Sequence, residues 1–177
     1  MKPLERLALV TYVIGRLEER GWSGRTRIQK IVYFGQALFD IPSPYEFKIY
    51  QYGPYSPQLD SDIQLATFMG WVTTRSHEPT YGPTYHITES GEGLIEGLHP
   101  SLAEVKPRID RVVGLLGRFK AKTLELLATA LYIEATQPEA NREEIISIVR
   151  ALKPYFRKRS INSAIDALEK IRSVANS

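Results

Sequence analysis

The chain has 177 residues, an apolar fraction of 43% and a formal net charge of +3. This length supports one substantial hydrophobic core or two small ones, and the composition argues against a disordered chain. The sequence contains no cysteine, which excludes disulfide bonds, thiolate metal sites and thiol catalysis. Charged residues interrupt the apolar stripe at the N-terminus, so we expect neither a signal peptide nor a membrane-spanning helix, but a soluble cytoplasmic protein.

Two amphipathic helices and a short strand are predicted first. Apolar side chains recur at helical spacing over residues 4–20, and Gly21 supplies a C-terminal stop. The segment 26–39 is apolar over most of its surface, so a helix there must be largely buried. Residues 46–52 alternate with the two-residue period of a strand. Gly53, which precedes a proline, is predicted to end that strand.

A third helix and a hairpin complete the N-terminal half. Ser56 followed by Pro57 predicts a helix start, because a hydroxyl N-cap often precedes a proline at the first helical position. Two strand-like segments, 71–76 and 84–88, flank a turn-rich stretch and should pair. The order helix, helix, strand, helix, hairpin is the plan of a winged helix. We therefore predict a winged-helix domain over residues 1–98.

The remaining residues, 99–177, are helical in pattern throughout. Asn141, followed three residues later by Glu144, predicts a capping box at one helix start, and that helix should end at Lys153, before a proline. Ser160 is predicted to cap the last helix. The whole chain is thus expected to be mainly α with a small β-hairpin, a winged-helix domain followed by a helical bundle that can pack on it.

A sequence pattern over about residues 25–98 resembles the Panacea and YwgA-like group of phage-associated and antitoxin-like proteins. It combines a helix with adjacent Gln-Lys and Tyr-Phe pairs, in RTRIQKIVYFGQALF, with a Tyr-Gly-Pro turn in YQYGPYSPQL and a later GWV. The pattern positions are occupied by Gln29, Lys30, Tyr33, Phe34, Tyr52, Gly53 and Pro54. The resemblance implies a partner-binding protein rather than an enzyme, since antitoxin-like members bind and neutralise a toxin protein.

The distribution of charge argues against DNA recognition by the third helix. Residues 41–97 carry two Lys or Arg against seven Asp or Glu. A helix that reads DNA needs cationic neighbours for phosphate, whereas this helix has two aspartates and no Lys or Arg. An acidic surface bordered by tyrosines favours a protein contact, although any single tyrosine more often packs against the core. We therefore predict a site for a protein partner, such as a toxin with a basic surface, at Tyr50, Tyr52, Tyr55, Asp60 and Asp62.

DNA binding remains the alternative for the C-terminal half, where fourteen Lys or Arg stand against nine Asp or Glu in residues 98–177. Three consecutive basic residues precede the last predicted helix, and two small polar residues follow, an arrangement suited to phosphate contact and base recognition. Such a basic run is also common at a solvated corner. The candidate nucleic-acid-binding residues are Arg157, Lys158, Arg159, Asn162 and Ser163.

Three further basic residues, Arg25, Arg27 and Lys30, occupy the first turns of the second predicted helix. They could clamp a phosphate or form ion pairs with the neighbouring acidic segment. We favour the ion pairs, because the acidic segment is adjacent in the chain.

Catalytic and metal-binding patterns are weak. Glu46 and Lys48 match only half of a metal-dependent nuclease motif. The three histidines, His77, His86 and His99, have neither metal-ligand nor triad spacing, so surface or hydrogen-bonded structural roles are expected. We predict a protein that is not an enzyme and has no metal site or cofactor.

Overall fold

The computed structural model describes residues 1–76 and 82–176. The fold is mainly helical with two small antiparallel strand pairs, which confirms the predicted fold class. No helix in this described part is long and apolar enough to cross a membrane. The elements are α1 (Pro3–Glu18), α2 (Arg25–Leu38), β1 (Lys48–Tyr50), β2 (Gly53–Tyr55), α3 (Pro57–Phe68), β3 (Val72–Arg75), β4 (Thr84–Ile87), α4 (Glu89–Gly97), α5 (His99–Leu102), α6 (Lys106–Leu116), α7 (Ala121–Thr136), α8 (Arg142–Leu152) and α9 (Lys158–Ala175).

The first strand pair differs from the prediction. Strand β1 is shorter than the predicted 46–52, and the chain does not leave the sheet at Gly53, which instead begins β2. The two strands form a tight hairpin in which Ile49 lies opposite Pro54. Gly53 can make this turn because its φ of +83° lies in the left-handed region that side chains disfavour.

The predicted start of α3 and the second hairpin are confirmed. The Ser56 hydroxyl accepts a hydrogen bond from the Leu59 amide at 3.4 Å, and Pro57 opens the helix. Strands β3 and β4 pair from Val72 opposite Ile87 to Arg75 opposite Thr84. Residues 77–81 of the intervening turn, including His77, lie outside the described residues.

The caps of the last two helices have different outcomes. The capping box of Asn141 and Glu144 is confirmed, since the Asn141 side chain accepts from the backbone at the start of α8. The prediction that Ser160 caps α9 is wrong. The helix begins at Lys158 with Arg157 as its N-cap, and Ser160 lies inside the first turn. Helix α9 starts early because a tight turn, closed by a 3.1 Å bond from Phe156 N to Lys153 O, shortens the connection.

One hydrophobic cluster extends from α1 to α9. Helices α2 and α7 lie near its centre, and both contact β2 as well as each other. The buried face of α7 is nearly continuous from Leu124 to Leu131. The N-terminal and C-terminal segments therefore pack against each other, with the first hairpin lying on helices from both. The domain division at residue 98 stays a prediction.

Candidate functional site

Side chains of helix α2 hold the first hairpin through hydrogen bonds to backbone atoms in and just after β2. The Gln29 side-chain amide donates to Ser56 O at 3.0 Å, and its carbonyl accepts from Ser56 N at 2.9 Å. The neighbouring Lys30 ammonium donates to Pro54 O at 2.7 Å. Both side chains are only 1% exposed, so these bonds form in a region of low water access. The Gln-Lys pair thus recognises the backbone at and after the Tyr-Gly-Pro turn.

Helix α7 and the turn after α8 hold the hairpin from the other side. A Cβ atom on Gly53 would lie 2.8 Å from Thr129 Oγ1, so only glycine allows this approach. Lys153 donates to Tyr50 O at 3.1 Å and to the next backbone carbonyl. It also forms an ion pair of 3.2 Å with Glu125, and both side chains are nearly inaccessible to water. Tyr155 donates its hydroxyl proton to the same carboxylate.

We call the buried polar side chains that hold the first hairpin, Gln29, Lys30, Glu125 and Lys153, the hairpin anchor. Loss of solvent shifts the pKa of Lys30 and of Tyr155, which is bonded to Glu125. The pKa of Lys30 is lowered to about 7, mainly by desolvation, while Glu125 raises it and Lys153 lowers it by smaller amounts. The Lys30 side chain therefore changes between its charged and neutral forms close to neutral pH. Desolvation of the Tyr155 hydroxyl raises its pKa above the ordinary value, with added contributions from the hydrogen bond to Glu125 and from Tyr52. Tyr155 consequently remains a protonated donor.

The anchored hairpin displays aromatic side chains to solvent. Tyr50 is 67% exposed, Tyr52 54% and Tyr155 52%. The ring of Tyr55 is half-buried and lies against Tyr50, with ring centroids 5.5 Å apart. The structure thus brings the three predicted tyrosines together. Tyr50 and Tyr52 do not pack in the core, which is the role that a single tyrosine more often has. We call Tyr50, Tyr52, Tyr55 and Tyr155 the tyrosine surface.

Sequence reasoning missed Tyr155 as a member of this surface. It follows the Lys-Pro pair that ends α8, and only the docking of this turn against the hairpin through Lys153 brings it to the same side of the protein. The sequence feature that could have identified Tyr155 is its position directly after the Lys-Pro pair that ends α8. Lys122, in the first turn of α7, holds its ammonium 5.5 Å from the Tyr155 ring centroid.

The predicted acidic surface is wrong, because both aspartates point inward. Asp62 is 3% exposed, accepts two bonds from Arg6 at 2.6 and 3.0 Å, and accepts the Tyr45 hydroxyl at 2.7 Å. Asp60 is 7% exposed and forms an ion pair of 3.1 Å with Arg25. Helices α1 and α2 therefore supply cations that neutralise the start of α3 inside the protein. The preferred ion pairing to the acidic segment is confirmed for Arg25.

The other two basic residues of α2 do not form the expected ion pairs. Arg27 donates to Gly117 O at 2.6 Å, and Lys30 binds the hairpin backbone as described. Both side chains are buried, so neither is placed to clamp a phosphate. Their role is to tie α2 to neighbouring elements.

The predicted basic cluster lies together at the start of α9. Arg157, Lys158 and Arg159 are all exposed. The Lys158 ammonium is paired with Glu143 at 2.7 Å. Within residues 1–76 and 82–176, the guanidinium groups of Arg157 and Arg159 have no ion pair or hydrogen bond. Two of the three basic side chains are therefore available to a ligand.

The two polar residues predicted beside the cluster are less available. The Asn162 carbonyl accepts from Arg142 at 3.1 Å, and its amide donates to Lys158 O at 3.2 Å. The half-buried Asn162 is thus committed to contacts within the protein, whereas Ser163 is exposed. Base recognition by Asn162 would require these bonds to break.

The described residues bring together no group of three His, Asp or Glu side chains that could hold a metal ion. His86 is hydrogen-bonded to Glu18 at 2.8 Å, which confirms the structural role expected for it. A groove of about 610 Å³ beside α1 is lined by charged residues that include Arg16 and Glu18. Part of that lining is therefore engaged in contacts between elements of the fold.

Comparison with known proteins adds one relative. No family model matches the chain. The chain is similar to the uncharacterised protein YwgA of Bacillus subtilis (strain 168), with 25% identity over 154 residues. The similarity covers 85% of this chain and 88% of that protein, so it includes both the anchor helices and the hairpin segment. This similarity supports a YwgA-like family for the chain.

Proposed function

We propose that the protein is a non-catalytic module, antitoxin-like or adaptor-like, that binds another protein through the tyrosine surface. The observation that carries this proposal is the presentation of three tyrosines, each more than half exposed, next to a buried polar anchor. Tyrosine brings a large contact area at small entropic cost, and rigid presentation reduces the cost of binding further. The resemblance to phage-associated and antitoxin-like proteins agrees with such a role.

The order of the first seven elements supports the winged-helix type for residues 1–98. In this arrangement α3 occupies the position of a DNA-reading helix. Its exposed face carries polar and apolar side chains without a cation, and Phe68 is 86% exposed. An uncharged face lacks the phosphate contacts on which most DNA affinity rests. The composition of α3 therefore argues against groove recognition by this helix.

Site-specific photocrosslinking tests the proposal. A photoreactive benzoylphenylalanine replaces Tyr52 in the protein produced in its own host, and cross-linked proteins are identified by mass spectrometry. Control chains carry the same group in place of Trp22 or Phe68, which are 61% and 86% exposed. We expect a reproducible protein partner from position 52 alone, and its loss when Tyr155→Ala is added. A failure of position 52 to trap any protein beyond the two controls would contradict the proposal.

A DNA-binding regulator is the second candidate, favoured by the exposed and unpaired Arg157 and Arg159 in the described chain. The first turn of α9 also contains no acidic residue that would repel phosphate. Fluorescence anisotropy with mixed-sequence duplex DNA, at low and near-physiological salt, tests it. DNA binding that falls steeply with salt, and is lost in Arg157→Gln/Arg159→Gln, would support this candidate.

A further inference from the structure

The exposed charges at the edges of the tyrosine surface are mainly positive. Lys48 is exposed on β1, on the same side of the strand as Tyr50, and pairs in register with Tyr55. It has neither an ion pair nor a hydrogen bond from its side chain within the described chain. Glu46 is the single acidic residue of the hairpin segment 46–55, and it offsets this one lysine.

The opposite edge carries cations in excess. The Lys122 ammonium lies over the aromatic rings of Tyr155 and Phe156, at 5.5 and 5.7 Å from their centroids. Arg157 follows immediately in the chain and is exposed. These contacts leave the charge of Lys122 uncompensated by a carboxylate in the described part of the protein.

Apart from Glu46, two carboxylates close to the tyrosine surface do not neutralise these cations. Glu125 is 5% exposed and is shared between Lys153 and Tyr155. Asp60, on the Tyr55 side, is buried and paired with Arg25. Because these acids serve internal contacts, the three exposed cations Lys48, Lys122 and Arg157 outweigh the one exposed carboxylate of the hairpin segment, Glu46.

We infer that the partner contacts the tyrosine surface with an acidic segment in which carboxylate side chains alternate with apolar ones. This inference rests on the proposed function and reverses the charge that the sequence predicted for the partner. Apolar residues of the segment would pack on the tyrosines, while its carboxylates would meet Lys48, Lys122 and Arg157. An aromatic centre with charged groups around it is the usual arrangement of a protein interface.

The same features favour an acidic protein segment over a nucleic acid. A phosphate backbone requires a closely spaced series of free cations. Here the central lysine, Lys153, is buried and paired with Glu125, and Lys158 is paired with Glu143. The remaining free cations are separated by aromatic area. Carboxylates interspersed with apolar side chains match that spacing better than consecutive phosphates do.

Fluorescence anisotropy with three labelled probes tests the inference on the full chain. The first probe is a peptide that alternates Glu or Asp with Leu and Phe, the second replaces every acidic residue by Lys, and the third is a single-stranded DNA of similar length. We expect the acidic peptide to bind more tightly than both others, with an affinity that falls as salt rises. Tyr50→Ala/Tyr52→Ala should weaken its binding.

A matched pair of triple variants isolates the charges at the edge. Lys48→Gln/Lys122→Gln/Arg157→Gln should weaken acidic-peptide binding roughly tenfold, as expected for three exposed ion pairs. A control triple loses the same charge at three exposed positions elsewhere in the chain, Arg20→Gln/Arg75→Gln/Lys170→Gln, and should bind within about twofold of the unmodified protein. Circular dichroism and thermal unfolding check that both triples are folded.

Three results would overturn the inference. They are tighter binding of the basic peptide, tighter binding of the DNA, or no binding of the acidic peptide at low salt. The photocrosslinking experiment separates this failure from failure of the proposed function. A protein trapped at position 52 through a basic segment keeps the proposed function and overturns the acidic partner. The absence of any trapped protein defeats both.

Discussion

Removal of the Asp62 carboxylate should destabilise the fold by about 3 kcal/mol. The side chain is 3% exposed and is the only anion that Arg6 and Tyr45 contact through hydrogen bonds in the described chain. Asp62→Ala therefore leaves a guanidinium and a buried hydroxyl without their acceptor. Because of the same contacts, reversing the charge at Asp62 should also disrupt the fold.

The magnitude follows from the exposure of each group. Breaking a buried ion pair by removing one partner costs about 3–5 kcal/mol, and an unsatisfied buried hydroxyl adds about 1–3 kcal/mol. The Arg6 side chain is 20% exposed, so water can replace part of the lost interaction. This screening reduces the combined cost from its lower limit of about 4 kcal/mol to about 3 kcal/mol. Since the stability of a domain is about 5–15 kcal/mol, the loss would be readily measured.

The assay is urea unfolding followed by circular dichroism, with Asp166→Ala as the matched control. Asp166 also accepts from an arginine at 2.6 Å, but that pair is largely exposed, with Asp166 57% accessible. The control should lose no more than about 1 kcal/mol. Arg6→Leu/Asp62→Leu should recover part of the loss, because neither charge remains buried alone. Equal losses for Asp62→Ala and Asp166→Ala would refute the assignment of Asp62 to a buried network.

Two further predictions concern the hairpin anchor. Gly53→Ala should lower the free energy of unfolding, measured in urea, by about 2–4 kcal/mol. The new Cβ atom would clash with Thr129 Oγ1, and alanine would also be strained by the left-handed backbone conformation at this position. Gly70→Ala, at a similar φ of +74° but with no atom within 4 Å, should show only the strain of about 1–2 kcal/mol. Equal losses of stability in Gly53→Ala and Gly70→Ala would contradict a contribution from the contact with Thr129. Burial lowers the pKa of Lys30 to about 7 in the folded protein, so above this pH the unfolded chain holds a proton that the folded chain has released. The free energy of unfolding should therefore rise with pH between pH 7 and about 9.5, by up to about 1.4 kcal/mol per pH unit. Lys30→Met should flatten this slope in urea titrations at several pH values, whereas the exposed Lys170→Met should leave it unchanged.

Local signals predicted most of the secondary structure. The helix starts at Ser56 and Asn141 were predictable because each cap satisfies amide groups within three residues of itself. The second hairpin was likewise indicated by two strand-like segments and the turn between them. The early start of α9 was not predictable, since it depends on the buried Phe156 and the tight turn that precedes the helix.

The candidate site depended on contacts that sequence spacing does not reveal. Asp62 and Arg6 are 56 residues apart, and no local rule predicts that this ion pair is internal. Lys153 and Tyr50 are 103 residues apart, and their contact brings Tyr155 beside the hairpin. The tyrosines could be nominated from a turn-rich aromatic stretch, but the charge surrounding them could be assigned only after the buried acids were identified.

The Gln-Lys pair of α2 and the Tyr-Gly-Pro turn form one physical unit, although they lie more than twenty residues apart. Gln29 and Lys30 bind backbone atoms of the hairpin, and Gly53 allows its close approach to α7. None of these anchoring contacts uses the side chains of Tyr50 or Tyr52. The anchor can therefore fix the position of the hairpin while the exposed side chains vary. A relative that keeps Gln, Lys and Gly at these positions should share the presentation of the hairpin, whereas the identity of its partner depends on the residues that the hairpin displays.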